Sequence, residues 1–389
     1  MDLPLPPVER LRTFRPSFCP RRKCPDHRTS RSDYRVHVHG SYTTARGKVI
    51  PRYLCLTCKK TFSRQAFSSA YYLKRAELLF AVAAGLVAGS AHRQIARVLG
   101  CAPSTVTRLA YRIGRACLLL GEEAASELDS QPDREPIVLD HFETFEFSQD
   151  LPFGVATAIG QDSWFVRALD PAPHRRTGPL PPAIRKRLKR RNPRPRKGGY
   201  LGSTRRILDR LLGSKPSGAT TKLRIVSDGH PSYQRAIARH PARRRIRHEI
   251  HPNPERGPKG SPRSDVAIAR DRALFAADLL HGLIRHSQAA HRRETIAFGR
   301  RLNALMLRLW VLAVWRNFIK GRSERKPDPT TPAMAVRLTD RPWRWSDALS
   351  RRRFPDRVGL RGVSRELYDL AWTTPELPSN ARHQLRLAY

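Results

Sequence analysis

Two short apolar runs that each end in an aspartate constrain the fold of this chain most. Ile137-Val138-Leu139 leads into Asp140, and the segment KLRIVSD ends at Asp228. Runs of this length and composition, bounded by polar residues, are typical of buried strands, so we expect each acid at a strand end. Carboxylate oxygens are the ligands that hard divalent cations prefer. The two runs therefore predict a metal site at one edge of a sheet.

A third carboxylate is expected from a helix. Apolar residues recur every three or four positions across His291–Lys320, which predicts one long helix that carries Glu294. Its basic neighbours also fit an alternative role as a salt-bridge partner. Three other acids remain open as the third ligand: Glu255, Asp265 and Asp271. Glu255 lies in a Pro/Gly-rich loop, and Asp271 can instead serve as a helix-dipole partner.

Two cysteine pairs near the N-terminus predict a zinc ribbon. Four residues separate Cys19 from Cys24 and two separate Cys55 from Cys58, and an alternating, strand-like segment lies between the pairs. Two thiolate pairs on separate turns can surround one Zn²⁺ tetrahedrally. A unit this small cannot bury enough apolar surface without such a staple, so the zinc is expected to be structural. Three histidines are alternative ligands: His27, His37 and His39.

Residues 71–120 have the pattern of a helix-turn-helix. A turn at Gly100 separates the helix predicted over Ala91–Leu99 from one that opens at Ser104. Apolar residues fall on the inward face: Ile95, Leu99, Val106 and Leu109. The polar residues that remain are predicted to face a DNA major groove: Ser104, Thr105, Thr107, Arg108 and Arg112.

The charge of the chain indicates a polyanionic partner. There are 74 lysines and arginines against 33 acidic residues, for a formal net charge of +41. Such a field attracts nucleic acid at nearly any surface. No uncharged apolar stretch reaches the roughly 18–20 residues that a membrane span needs, and the N-terminus lacks the order of a signal peptide. We therefore expect no membrane partner and a cytoplasmic protein.

The remaining composition sets the predicted boundaries of a multidomain α+β fold. They are a loose lead-in over 1–16, the zinc ribbon over 17–68, the helix-turn-helix over 69–121, a linker over 122–135, an α/β domain over 136–320 and a tail over 321–389. Within the α/β domain, Leu151–Gly160 and Ser163–Leu169 are expected to extend the first strand into an antiparallel meander. The Pro- and Arg-rich stretch 171–220 is predicted to be an exposed basic insertion.

In this order of motifs the chain resembles bacterial insertion-sequence transposases of the DDE class. The resemblance covers roughly residues 19–320. Its motifs are the four cysteines, Gly100–Arg108, Asp140, Asp228 with Tyr233 five positions later, and Glu294 with Arg301 seven positions later. It implies a ribonuclease-H-like catalytic domain with a helical C-terminal part. It also implies that Arg301 contacts DNA from the same helix face as Glu294, two turns away.

The resemblance implies an enzyme that binds element ends, cleaves DNA strands and joins the freed 3′-OH to target DNA. Asp140 would bridge two Mg²⁺ (or Mn²⁺) ions, with Asp228 completing one site and Glu294 the other. The implied partners are double-stranded DNA and at least one further copy of the chain, at the bacterial nucleoid. Two other functions stay open: a non-catalytic zinc-ribbon/helix-turn-helix regulator derived from a transposase, and a nuclease without joining activity.

Overall fold

A computed structural model describes most of the chain: residues 14–29, 32–44, 47–130, 135–175, 179–191, 199–213, 222–255, 257–258, 260–293, 295–324, 327–374 and 377. Parts of several predicted segments lie outside these ranges. They include Glu294, most of the lead-in, and residues 176–178, 192–198 and 214–221 of the predicted basic insertion.

Within the described ranges, the strands form two sheets. The first is an antiparallel sheet in the order β1-β2-β3: β1 Val36–Thr43, β2 Val49–Cys55 and β3 Thr61–Ser63. The second has the order β6-β5-β4-β7-β8: β4 Ile137–Phe145, β5 Pro152–Gly160, β6 Val166–Pro173, β7 Leu223–Ser227 and β8 Ile246–Ile250.

The second sheet is mixed, and its register aligns the two predicted acids. Strands β4, β5 and β6 form the expected antiparallel meander. Strand β7 runs parallel to β4, with Val138 opposite Val226, and β8 runs parallel to β7. Two residues further on, the same register brings Asp140 level with Asp228. Asp140 and Asp228 therefore lie beside each other on neighbouring strands. The prediction that each acid ends a strand holds for Asp228, which directly follows β7, but it is wrong for Asp140, because β4 stays paired with β5 as far as Phe145.

Twelve α-helices lie in the described residues, and the longest are α3 and α7. In chain order they are α1 Leu79–Val87, α2 His92–Val98, α3 Pro103–Asp129, α4 Pro182–Arg191, α5 Gly199–Gly213, α6 Pro231–Ala238, α7 Asp265–Ser287, α8 Leu302–Val314, α9 Pro332–Ala335, α10 Trp345–Leu349, α11 Pro355–Val358 and α12 Gly362–Tyr368. A π-helical turn, Trp315–Ile319, continues α8.

Helices α3 and α8 pack at very short range because α3 carries glycines where α8 crosses it. A Cβ built on Gly114 would lie 2.6 Å from Cβ of Leu307, and one on Gly121 would lie 2.3 Å from the Trp310 ring. The two glycines are seven residues apart and so share one face of α3. One hydrophobic core then runs from α1–α3 through α7 and α8 to one face of the mixed sheet and to α10 and α12.

Helices α5 and α6 cover the opposite face of the mixed sheet. Ile137 and Leu139 of β4 point to this side, where they pack with Ile207, Leu211 and Tyr233. The strand β4 is therefore buried on both faces, which is why its apolar residues form a continuous run rather than an alternating pattern.

Several predicted helix boundaries are wrong. The apolar pattern over Tyr71–Val87 predicts a helix, but Tyr71–Arg75 form turns and the α-helix begins only at Leu79. The expected linker over 122–135 is helical as far as Asp129, because α3 continues through it. The predicted helix over His291–Lys320 begins only at Leu302, and Ile296, expected on its inward face, is fully exposed.

One helical stretch in the described residues, Leu302–Ile319, has the length and apolar composition of a membrane span. However, 78% of it is buried inside the protein, where it packs on α3 and the sheet. Its hydrophobicity is therefore that of a core helix.

Replacing a contact glycine of α3 should destabilise the protein. Gly121→Ala forces a methyl group into the Trp310 ring, and such overpacking costs about 1–3 kcal/mol. Gly282 of α7 is the matched control, because a Cβ there meets nothing within 4 Å. Gly282→Ala should stabilise the protein by about 0.5–1 kcal/mol through helix propensity. Denaturant unfolding of both variants measures this, and equal effects would contradict the close packing of α3 and α8.

Candidate functional site: a four-cysteine cluster and a carboxylate edge

The four predicted cysteines form one compact cluster. Their sulfur atoms all lie within 4.8 Å of one another, with Cys19 Sγ 3.9 Å from Cys58 Sγ and Cys24 Sγ 3.8 Å from Cys55 Sγ. A tetrahedral Zn²⁺ with Zn–S bonds of about 2.3 Å holds its sulfurs about 3.8 Å apart. The spacing therefore fits a zinc ion and is far too long for disulfides.

The surroundings of the sulfurs favour a bound cation. Burial raises the pKa of Cys24 to about 11 and that of Cys19 further, so both thiolates are costly without a metal. Burial alone would also raise the pKa of Cys55, but the backbone N–H groups of Cys58 and Thr57 lower it. A Zn²⁺ ion deprotonates its thiol ligands, which removes this cost.

The alternative histidine ligands are not part of this cluster. His27 is buried, and its Nδ1 lies 2.8 Å from the carbonyl oxygen of Cys19. His37 and His39 are exposed on β1. All four ligand positions are thus supplied by cysteine, as the two pairs predicted.

The predicted DNA-facing residues divide into two groups. Ser104 and Arg108 are exposed at the start of α3, and Thr105 and Thr107 are half-buried. Arg112 is 7% exposed, and its guanidinium donates to the carbonyl oxygens of Ser69 and Tyr71 at 2.9 and 2.6 Å. Arg112 therefore ties α3 to the chain before α1 and does not face outward. Arg112 lies one turn beyond Arg108 on the same face of α3, but there the segment before α1 covers it.

Hydrogen bonds position both acids, and one chain of them connects Asp228 to helix α7. The Asp140 carboxylate accepts hydrogen bonds from the backbone N–H of His141, at 2.7 Å, and from the Tyr233 hydroxyl, at 3.3 Å. Asp228 accepts from the side-chain amide of Asn253 at 3.0 Å. Asn253 in turn accepts from Nε of Arg270, at 2.9 Å.

Helix α7 places charged and ionisable groups beside Asp140. Its His281 has Nδ1 at 3.6 Å from Asp140 Oδ2 and Nε2 at 3.1 Å from the Thr157 hydroxyl. The Arg270 guanidinium, also on α7, pairs with both Asp271 and Asp278. Asp271 is further paired with Arg263. An arginine thus lies among the carboxylates of the sheet edge and α7.

The pKa of Asp140 reflects this crowded setting. The pKa of Asp140 is raised to about 7, mainly by burial and also by the charges of Asp228 and Asp278, while the backbone N–H of His141 and the Arg270 guanidinium oppose the shift. A carboxyl with a pKa near neutrality gains from a cation that replaces its proton. This electrostatic effect shows that Asp228 and Asp278 act on the same carboxylate.

The two histidines that flank the acids in sequence have different positions. His141 is buried against Tyr200, with Nδ1 2.7 Å from the Tyr233 hydroxyl and Nε2 2.8 Å from the Ser203 hydroxyl. Burial lowers its pKa far below the usual value, so it is a neutral part of the packing. His230 is exposed and caps α6 by accepting from the N–H of Ser232.

The structure does not place Glu294, which lies outside the described residues. Its neighbours are not helical, so the predicted relation of Glu294 and Arg301 on one helix face fails. Arg301 instead precedes α8 in an extended conformation. Three residues beside Asp140 were not predicted from the sequence: Arg270, Asp278 and His281. The spacing of Asp271, Asp278 and His281 at seven and three residues would have placed them on one face of α7.

Among the described residues, only the cysteine cluster has three or more possible metal-ligating side chains within 4.8 Å of one another. The acids are more widely spaced, so metal binding by them belongs to the proposal below. Comparisons with protein-family models, curated proteins and solved structures found no match.

The cysteine cluster predicts one zinc ion per chain. Cys55→Ser should lower the bound zinc and expose the β1–β3 sheet to proteolysis, because its small core is built around the sulfurs. Cys101→Ser changes a thiol outside the cluster and should leave the zinc content unchanged. Elemental analysis of the purified proteins measures this. Equal zinc in both variants would contradict the assignment.

The raised pKa of Asp140 predicts a pH-dependent stability. In the native protein the Asp140 carboxyl keeps its proton up to about pH 7, whereas an aspartate in an unfolded chain has a pKa of 3.8. The native state therefore binds more protons in this window, and the free energy of unfolding falls as pH rises through it. Asp140→Asn should thus stabilise the metal-free protein at a pH of about 8 more than at about 4.

Thermal denaturation across this pH range measures the difference. Asp340→Asn changes an exposed aspartate and should give the same shift at every pH. A stability gain in Asp140→Asn that did not grow with pH would show that Asp140 is not held in a costly ionised state.

Proposed function

We propose that this protein is a metal-dependent DNA strand-cleaving and strand-joining enzyme similar to the DDE transposases. The observation that carries the proposal is the alignment of Asp140 and Asp228 on adjacent parallel strands, with the acids of α7 beside them. A meander followed by two parallel strands is also the arrangement expected of a ribonuclease-H-like domain. The helix-turn-helix pattern and the net charge of +41 support DNA as the substrate.

For the third acid we propose Asp278 rather than the predicted Glu294. Asp278 acts electrostatically on Asp140, and it belongs to a regular helix packed against β4 and β7. Asp271 on the same helix is less suitable, because it is paired with Arg263 and is not among the main charges that shift the pKa of Asp140. A rigid helix also holds a ligand more precisely than the non-helical stretch around Glu294.

Oxygen ligands of this kind suit Mg²⁺ or Mn²⁺. Two such ions, when bound, would stabilise the attacking and leaving oxygens of an in-line displacement at phosphorus. The chain's own residues position the carboxylates: Tyr233 holds Asp140, and Asn253 holds Asp228. Arg270 offsets the negative charge of the acids when no metal is bound. Because it pairs with both Asp271 and Asp278 of its own helix, its guanidinium can leave Asp278 and keep Asp271 as a partner.

The other parts of the chain have supporting roles in this proposal. The zinc ribbon is structural, and its core contacts the C-terminal region through Phe18 and Phe354. Ser104 and Arg108, exposed at the start of α3, are the proposed groove contacts. A second copy of the chain is expected when two DNA ends are joined, and the nucleoid is the expected location.

The main competing function is a DNA-binding regulator without catalysis. The exposed start of α3 would serve it equally well, whereas the carboxylate arrangement at β4, β7 and α7 would have no role. A nuclease that never joins strands would use the same acids. The two are distinguished from the proposed enzyme by measuring cleavage and joining separately.

Substitution of the proposed ligands should abolish cleavage. Asp140→Asn and Asp278→Asn should each slow Mg²⁺-dependent cleavage of the DNA that flanks the gene by about a hundredfold or more, since several kcal/mol of transition-state stabilisation are lost. Asp271→Asn lies on the same helix and should retain most activity. Gel analysis of cleaved and joined products measures both steps.

The outcomes separate the assignments. Loss of cleavage in Glu294→Gln with activity retained in Asp278→Asn would restore Glu294 as the third ligand. Wild-type binding without cleavage at any Mg²⁺ or Mn²⁺ concentration would favour the regulator. Full activity in Asp140→Asn would overturn the proposed function.

A further inference from the structure

A large cavity lies on the other side of the molecule's core, between the helix-turn-helix and the segment that leads into α8. Its volume is about 970 Å³, at the upper end of the range of about 300–1,000 Å³ for ligand pockets. One wall comes from residues of Gly89–Arg97 and the start of α3, and the other from residues 288–290, 292 and 295–301 and the first turns of α8. The acids Asp140, Asp228, Asp271 and Asp278 do not line it.

The described lining of the cavity is strongly cationic. It contains six arginines and no described acid: Arg93, Arg97, Arg292, Arg300, Arg301 and Arg308. Burial lowers the pKa of Arg308, as expected of a charge held away from bulk water. In the described part of the chain the Arg308 side chain has no hydrogen-bond or ion-pair partner. Such a guanidinium is suited to a phosphate.

Two further lining residues offer unpaired hydrogen-bond acceptors. Gln288 is 2% exposed; its amide nitrogen donates to the carbonyl oxygen of Arg308 at 2.6 Å, and its amide oxygen has no partner. His92 Nδ1 lies 3.0 Å from the Thr107 hydroxyl, which itself donates to the carbonyl oxygen of Pro103. With the Thr107 proton on Pro103, His92 donates from Nδ1, and its buried Nε2, which has no partner, is then an acceptor.

This combination selects among anionic ligands. A bare phosphate satisfies the arginines but has little to donate to Gln288 and His92. A nucleotide has both a phosphate and a base with N–H donors. Tyr111 and Phe298, which also line the cavity, provide aromatic surfaces against which a base can stack.

We propose that this cavity binds an unpaired nucleotide at the end of a DNA strand, with its phosphate on the arginines and its base at Gln288 and His92. The inference rests on the proposed function in that it takes DNA as the substrate. Its location supports a strand rather than a free nucleotide, because Arg93 and Arg97 extend the cationic lining along α2, and Pro103 and Thr107 bring it to the start of α3, where Ser104 and Arg108 are exposed.

The test compares three DNA ligands of equal duplex length: a blunt duplex, one with a short single-stranded deoxyadenosine extension, and one with an abasic extension. The abasic extension keeps the phosphates but lacks the bases. The full-length wild-type protein, assayed by fluorescence anisotropy without divalent metal, should bind the adenosine extension about tenfold more tightly than the abasic one.

Two cavity variants change different properties. Arg308→Met removes the charge at similar length, and Ala297→Trp fills the cavity without changing charge. Each should abolish the preference for the adenosine extension. Arg205→Met removes one exposed arginine of α5 outside the cavity, and it should weaken binding of all three duplexes equally. Thermal unfolding checks that each variant remains folded.

Equal affinity of the wild type for adenosine and abasic extensions overturns the inference, as does a preference that survives in both cavity variants. The free dinucleotide d(pApA) is added as a competitor, and displacement of the extension supports a shared site. Binding of d(pApA) by a protein that shows no preference for the extension assigns the cavity to free nucleotides and overturns the strand-end form.

The same binding assay, run beside a Mg²⁺-dependent cleavage assay of the wild type, separates this inference from the proposed function. If the wild type prefers the adenosine extension but shows no metal-dependent cleavage, the cavity inference stands and the proposed enzymatic function is overturned. Cleavage by the wild type without a preference does the reverse.

Discussion

The close packing of α3 on α8 is the constraint on which the rest of the structure depends. Glycines at 114 and 121 let the two helices approach until Leu307 and Trp310 touch the α3 backbone. Helix α3 begins beside α2 and ends beside the mixed sheet, so this contact merges both regions into one hydrophobic core. The start of α3, the arginine-lined cavity and the carboxylate edge are consequently held by the same rigid helices.

The carboxylate edge is an electrostatically unfavourable arrangement that the fold enforces. Strand pairing brings Asp140 level with Asp228, and α7 adds Asp278 while burying the site. In the metal-free protein the cost is reduced by the proton that Asp140 retains and by Arg270. Such clusters persist in proteins mainly where a function uses them. A divalent cation would replace both the proton and the guanidinium, which links the energetics of the site directly to the proposed chemistry.

Sequence patterns predicted the parts that depend on local chemistry. The cysteine pairs identified the cluster, and the apolar runs identified β4, β7 and their two acids, although Asp140 lies within β4 rather than at its end. The patterns failed where tertiary packing decides. Arg112 is a polar residue on α3, but the chain before α1 covers it. The periodicity of α8 extends into residues 295–301, but these residues are not helical. Asp278 was missed because its role depends on how α7 crosses the sheet, which spacing alone does not give.

The most direct test of the account is a crystal structure with Mn²⁺, in which anomalous scattering locates the metal. The account predicts anomalous peaks between Asp140, Asp228 and Asp278, with the Arg270 side chain moved away from α7's acids. Peaks elsewhere, or none at this edge at a saturating Mn²⁺ concentration, would contradict it.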